Sequence, residues 1–141
     1  MIKLFLDIET LPGDDSIRHQ LESEVKPPGS MKRADTIEKW EREERTAEVE
    51  KRYRATSLRG HTGRILCIGY IKDGPESSEQ GVIEGDEPAI LRAFWELAAD
   101  VDVFVGFNIL DFDLTYIWQR SVVHRIYPSQ PISFARYRND Q

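Results

Sequence analysis

The 141-residue chain contains a single cysteine, Cys67, so it forms no internal disulfide and holds no cysteine cluster for zinc. Cys67 lies in the apolar run Arg64-Ile-Leu-Cys-Ile-Gly-Tyr-Ile71 and reads as a small core residue. No apolar run reaches the roughly 20 residues needed to span a bilayer. The N-terminus is a short strand carrying acids rather than a signal peptide. The expectation is a soluble, cytoplasmic protein with no membrane partner. Positive charge is also scarce: 19 Lys and Arg stand against 25 Asp and Glu, a net charge of −6. A nonspecific nucleic-acid coat, which needs a basic footprint, is thereby excluded. An enzyme that meets phosphates through bound metal ions is not. No internal repeat is present. At 40% hydrophobic residues the chain is long and apolar enough to bury one core.

Against this background the opening segment, Met1-Ile-Lys-Leu-Phe-Leu-Asp-Ile-Glu-Thr10, stands out. In a strand, residues two apart share a face. Ile2, Leu4, Leu6 and Ile8 therefore line one side, and Phe5, Asp7 and Glu9 the other. Two carboxylates about 6–7 Å apart along a strand repel each other, and burial would add a loss of hydration. Divalent cations relieve both penalties, because hard cations take carboxylate oxygens. A second acidic cluster, Asn108-Ile-Leu-Asp-Phe-Asp113, follows another apolar strand.

Between these clusters the pattern predicts a short helix over 17–25 and a long charged surface helix over 32–54. Asp35 or Thr36 is the expected cap of that helix, with Glu38 in its first turn. Its alternating Glu and Arg/Lys read as a solvated face, because the glutamates cancel most of the positive charge; the alternative is a nucleic-acid contact through Arg42, Arg45, Lys51, Arg52 or Arg54. His61, in Arg59-Gly-His-Thr-Gly63, reads as a solvated loop residue. A second strand is expected over 64–71 and a third over 81–84, paired as a hairpin. Asp86-Glu-Pro88 announces a helix with Ile90, Phe94 and Leu97 inward. A fourth strand is expected over 101–107. A last helix is expected from Asp111 or Phe112 towards Arg120, capped by Asp111, with Leu114, Ile117 and Trp118 inward. The segment 132–137 reads as an extended piece. The helix between strands three and four permits a crossover, so strand four can lie parallel to strand one. Asp7, Glu9 and Asn108 then meet at carboxyl ends of strands, where ligands of α/β sheets gather.

Asp7-Ile-Glu9-Thr10 resembles the first motif of the DEDD (DnaQ-like) 3′–5′ exonucleases. Asn108-x-x-x-Phe112-Asp113 resembles their second motif as it occurs in the proofreading domains of family B DNA polymerases and the stand-alone exonucleases related to them. The resemblance covers strand one and residues from about 64 to 120. It implies an α/β, ribonuclease-H-like fold: a mixed sheet of three antiparallel strands plus a fourth parallel to the first, with flanking helices. It treats 1–141 as a single domain with a charged helical insertion at about 14–58. It implies cleavage of single-stranded or 3′-ended nucleic acid, with DNA the expected substrate, by two Mg2+ or Mn2+ ions. Asp7, Glu9 and Asp113 would be the catalytic metal ligands, and Thr10, Asn108 and Phe112 would meet the substrate.

The chain departs from the family in one respect. A third motif, Tyr-x-x-x-Asp on a later helix, is not found after Asp113; Tyr137 and Asp140 are only three apart. The expectation is therefore a partial domain lacking the last strand and helix, with apolar sheet surface uncovered and activity reduced. The alternative is a catalytically impaired or noncatalytic nucleic-acid- or protein-binding module of the same fold.

Overall fold

Period-two alternation makes β1, Lys3–Leu11, the organising strand. Leu4, Leu6 and Ile8 are buried, while Lys3, Phe5, Asp7 and Glu9 between them are exposed. The computed structural model describes residues 1–134. Its elements continue with α1 (Asp15–Glu24), α2 (Ala34–Glu43), α3 (Arg45–Ala55), a 3-10 turn (Thr56–Leu58), β2 (Arg64–Asp73), β3 (Ser78–Glu84), α4 (Glu87–Ala98), β4 (Val103–Val105) and α5 (Asp113–Val123). Tyr137 and Asp140 lie outside the described residues, as does half of the extended piece expected over 132–137; residues 132–134 form no strand. Among the described residues no helix is long and apolar enough to cross a membrane.

Two compact units emerge. One comprises Met1–Thr10 and the described residues from Ile65 onward, the other Leu11–Arg64. The first unit is built on a four-stranded sheet in the order β3-β2-β1-β4. Three strands are antiparallel, and β4 runs parallel to β1 with Lys3 opposite Val103 and Phe5 opposite Val105. This is the ribonuclease-H-like α/β arrangement. Helices α4 and α5 supply Ile90, Leu91, Phe94, Trp95, Leu114 and Ile117 to the core shared with Leu4, Leu6 and Ile8. Asp86 caps α4 by accepting from the Ala89 N–H at 2.8 Å. Phe5, Ile71, Val82 and Val103 remain exposed.

Several boundaries differ from expectation. The hairpin strands reach further towards their turn, to Asp73 and from Ser78, because the edge pairing Asp73–Ser78 needs no apolar side chain. Cys67 is half-buried in β2 rather than fully in the core. β4 is only three residues long. Gly106 follows it so closely beside β1 that a Cβ there would stand 2.9 Å from the Leu6 carbonyl oxygen, and the chain then turns away. Trp118 is not inward; it is 42% exposed, with its ring edge-on to Phe134 at 6.1 Å.

In the second unit the long helix expected over 32–54 is two helices, broken at Glu44. The reason is geometric. Trp40 and Val49 are both buried in one cluster with Val25. Nine residues apart on one continuous helix, at about 100° per residue, they would face opposite sides. The break lets both point inward. α2 starts at Ala34 with Arg33 in the cap position and no side-chain cap, so neither Asp35 nor Thr36 serves; Asp35 lies in the first turn instead. α1 starts two residues earlier than expected because Asp14 caps it, accepting from the Ser16 and Ile17 N–H groups. Exposed pairs such as Arg54–Glu50 at 2.9 Å lace the surface and, screened by solvent, add little to stability.

Candidate active site

The candidate site lies within the first unit, at the carboxyl end of β1. On this strand the backbone N–H and C=O groups of even-numbered residues point towards β4: Ile2 O accepts from Val103 N–H at 3.1 Å. β4 ends at Val105, opposite Phe5, so the Ile8 N–H has no strand partner on that side. Asp113 takes its place, its Oδ1 accepting from Ile8 N–H at 3.1 Å in a buried setting. A buried backbone donor left unmatched would cost about 1–3 kcal/mol, so Asp113 joins the start of α5 to the end of β1 by replacing a strand.

That carboxyl is only 3% exposed. Burial pushes its pKa above the ordinary aspartate value; the Ile8 N–H opposes this, and the negative charge of Asp7 adds to the rise. Asp7 and Asp113, more than a hundred residues apart in sequence, are thus electrostatic neighbours. Glu9 is exposed two residues further along β1. Among the described residues no three His, Cys, Asp or Glu side chains form one group able to hold a metal ion. Asp7 and Asp113 are close enough to interact electrostatically, and Glu9 is the third acid expected at this end of β1. Glu9, like Asp7, is one residue from Ile8, whose N–H holds Asp113.

The second motif sits on a tight turn rather than on a strand end. Asn108 has φ of 50°, the left-handed region that Asn tolerates better than most residues. Its carbonyl accepts from the N–H groups of both Asp111 and Phe112 at 3.1 Å, and Ile109 O accepts from Leu114 N–H at 2.9 Å. This loop delivers the chain from β4 into α5. Helix α5 begins at Asp113 with Phe112, not Asp111, in the cap position. Asp111 is exposed. Phe112 is half-buried, its ring tilted on Tyr116 at 5.5 Å between centroids. Thr10 is half-buried near the end of β1. Gly106, Asn108, Leu110 and Asp111 border a shallow open depression beside this turn.

What sets α5 in place was not read from the sequence. Glu87, in the first turn of α4, accepts from the Ile65 N–H at 2.7 Å and from Arg120 Nε at 2.9 Å and Nη2 at 2.6 Å. His124 Nε2 lies 2.6 Å from the same carboxylate. Burial pushes Glu87 up, but the bonds from Arg120, the Ile65 N–H and His124 outweigh it and hold the carboxyl below its ordinary value. Arg120 is seven residues after Asp113, two helical turns on the same face. No local pattern in the sequence pairs Glu87 with residues 33 and 37 positions later.

The family model for the exonuclease domain of family B DNA polymerases matches residues 47–136. The chain belongs to this family. The matched stretch contains Asn108, Phe112 and Asp113, while Asp7 and Glu9 precede it. No curated protein and no solved structure gives a significant match. Membership in the exonuclease-domain family makes the protein a nuclease-type domain with nucleic acid as its substrate class. Oxygen-rich acids at the end of β1 agree in chemistry with the divalent metals that exonuclease domains of this kind use.

Proposed function

We propose that the protein is a 3′–5′ exonuclease that removes nucleotides from DNA 3′ ends with two Mg2+ or Mn2+ ions. The observation that carries this reading is Asp113, a buried carboxyl held against the end of β1 beside a second acid, Asp7, inside a chain of the exonuclease family. A desolvated carboxyl with a like-charged neighbour is a site that a hard cation would stabilise, so the residues fit the implied metal. Asp7 would be the shared ligand, with Asp113 and, from further along β1, Glu9 completing the set. When bound, such ions supply hydroxide near neutral pH and neutralise the leaving 3′ oxygen. The chain's own part is positional. Ile8 N–H fixes the Asp113 carboxyl, the Asn108 turn sets the start of α5, and Phe112 and Thr10 border the place a 3′-terminal nucleotide would occupy. A noncatalytic nucleic-acid-binding module of the same fold is the competing reading.

Single-stranded DNA labelled at its 3′ end separates the two. With Mg2+ or Mn2+ the chain is expected to release labelled mononucleotide and to leave circular DNA intact. Asp7→Ala is expected to reduce release at least about a hundredfold, since even partners one step removed from a metal typically cost 10–100-fold. Metal-independent binding without release, or release indifferent to Asp7→Ala, would favour the binding module or another nuclease.

A further inference from the structure

Charge is unevenly divided along this acidic chain. Residues 11–64 carry twelve Lys and Arg against eleven Asp and Glu, a net +1, while the remainder carries seven against fourteen, a net −7. Within the helical unit the asymmetry sharpens. Lys51 to Arg64 contains five Lys and Arg and no Asp or Glu. The fold gathers part of this stretch around a cavity of about 420 Å³ where α3 ends and the following loop returns. Arg52, Arg59, His61 and Thr62 line it, and no carboxylate among the described residues does. The loop is shaped by its own backbone: Arg59 O accepts from Thr62 N–H at 3.1 Å and from Gly63 N–H at 2.7 Å, and Arg59 N–H donates to Thr56 O at 3.1 Å. These bonds place Arg59 and His61 on one short turn beside the last turn of α3.

We infer that this cavity, with Arg59 and Arg52 as its cations and His61 and Thr62 beside them, is a contact site for the phosphodiester backbone of the nucleic-acid substrate. The guanidinium of Arg59 has no hydrogen bond or ion pair among the described residues. Arg52 is held through Nε alone, by Glu48 at 2.8 Å. That pair is exposed to solvent and screened, so it competes weakly with a charge-assisted bond to phosphate. The carbonyl end of α3 presents about half a negative charge, which two guanidinium charges exceed. Arginine suits a phosphate because its planar fork offers paired donors, and Thr62 adds a hydroxyl. The site carries no information about base sequence, as befits an enzyme that reads an end rather than a sequence. The choice of nucleic acid as occupant rests on the exonuclease reading.

The test is fluorescence anisotropy of a short labelled oligothymidylate with the full chain in EDTA, over a range of salt concentrations, with metal-dependent nucleotide release followed in parallel. Arg59→Glu is expected to weaken binding by about tenfold or more, and Arg59→Ala to lower the slope of log affinity against log salt by about 0.7, one single-strand phosphate contact. Arg59→Lys should retain most of the binding. Arg33→Glu makes the same charge change away from the cavity and should shift affinity less than about twofold, as a screened exposed charge does. Since the Arg59 guanidinium has no hydrogen bond or ion pair among the described residues, the variants should melt with the wild type. Equal weakening by Arg33→Glu and Arg59→Glu, an unchanged salt slope, or no binding by the wild type overturns the site. Arg59-dependent binding without nucleotide release would instead remove the exonuclease reading and leave the site standing. Release with kinetics untouched by Arg59→Glu would do the reverse.

Discussion

Asp113→Asn is expected to cut metal-dependent nucleotide release at least about a hundredfold while leaving the metal-free protein as stable as the wild type or more so. The two effects separate because Asp113 does two jobs. Its Oδ1 accepts from the buried Ile8 N–H, and an asparagine Oδ1 keeps that bond. Its charge, by contrast, is unwelcome without a cation, since burial and then Asp7 raise its pKa above the ordinary 3.8. For an acid with a raised folded-state pKa, the stability linked to its bound proton is present below the unfolded value and is lost as pH rises through the folded value. At neutral pH the carboxylate therefore strains the fold, and Asn removes that strain. Asp113→Ala should behave differently. It leaves the Ile8 donor unmatched and should cost about 1–3 kcal/mol. Thermal unfolding in EDTA distinguishes the three proteins. A loss of stability in Asp113→Asn equal to that in Asp113→Ala would show that the charge itself supports the fold, contrary to this account.

Glu87→Ala is expected to destabilise the sheet unit by about 3–5 kcal/mol, the usual cost of leaving a buried charge without its partner. The Arg120 and Glu87 side chains are 8% and 9% exposed. Removing the carboxylate takes from the guanidinium its charged partner and leaves the Ile65 N–H without this acceptor. The corresponding fall in melting temperature is about 10 °C or more. Replacing both members with apolar residues, Glu87→Met with Arg120→Leu, should recover much of the loss, because the penalty comes from the unpaired charge more than from the missing attraction. The pH dependence has the opposite sign to that of Asp113. Glu87 is held below its ordinary 4.5, with Arg120 and His124 facing it. Its contribution is present above the unfolded value and is lost as pH falls through the folded one. Acid unfolding of wild type should accordingly be steeper than that of the doubly apolar variant.

The parts of the fold that the sequence made legible are those governed by local periodicity. Leu4, Leu6 and Ile8 alternate with Phe5, Asp7 and Glu9 at period two, and the burial of β1 follows it. The parallel pairing of β4 with β1 follows from the crossover length of α4. Trp40 and Val49 show where that reasoning stops. A stripe too thin to declare its phase hid the break at Glu44, which only a shared apolar cluster with Val25 explains. The start of α5 was missed by one or two residues because Asp113 looks like an ordinary first-turn acid, and its true partner is a backbone N–H 105 positions away. Glu87, Arg120 and His124 were invisible for the same reason. Of the candidate site, the sequence offers the acids, while the bond from Ile8 N–H to Asp113 that joins β1 to α5 comes only from the fold.

The central claim is that Asp7 and Asp113 converge on a divalent cation. Isothermal calorimetry with Mg2+ and with Mn2+ tests it most directly. Wild type should bind in the millimolar range or tighter, and both Asp7→Asn and Asp113→Asn should abolish that heat while unfolding cooperatively. Binding that survives both substitutions unchanged, or a wild type that takes up neither ion, would contradict the claim.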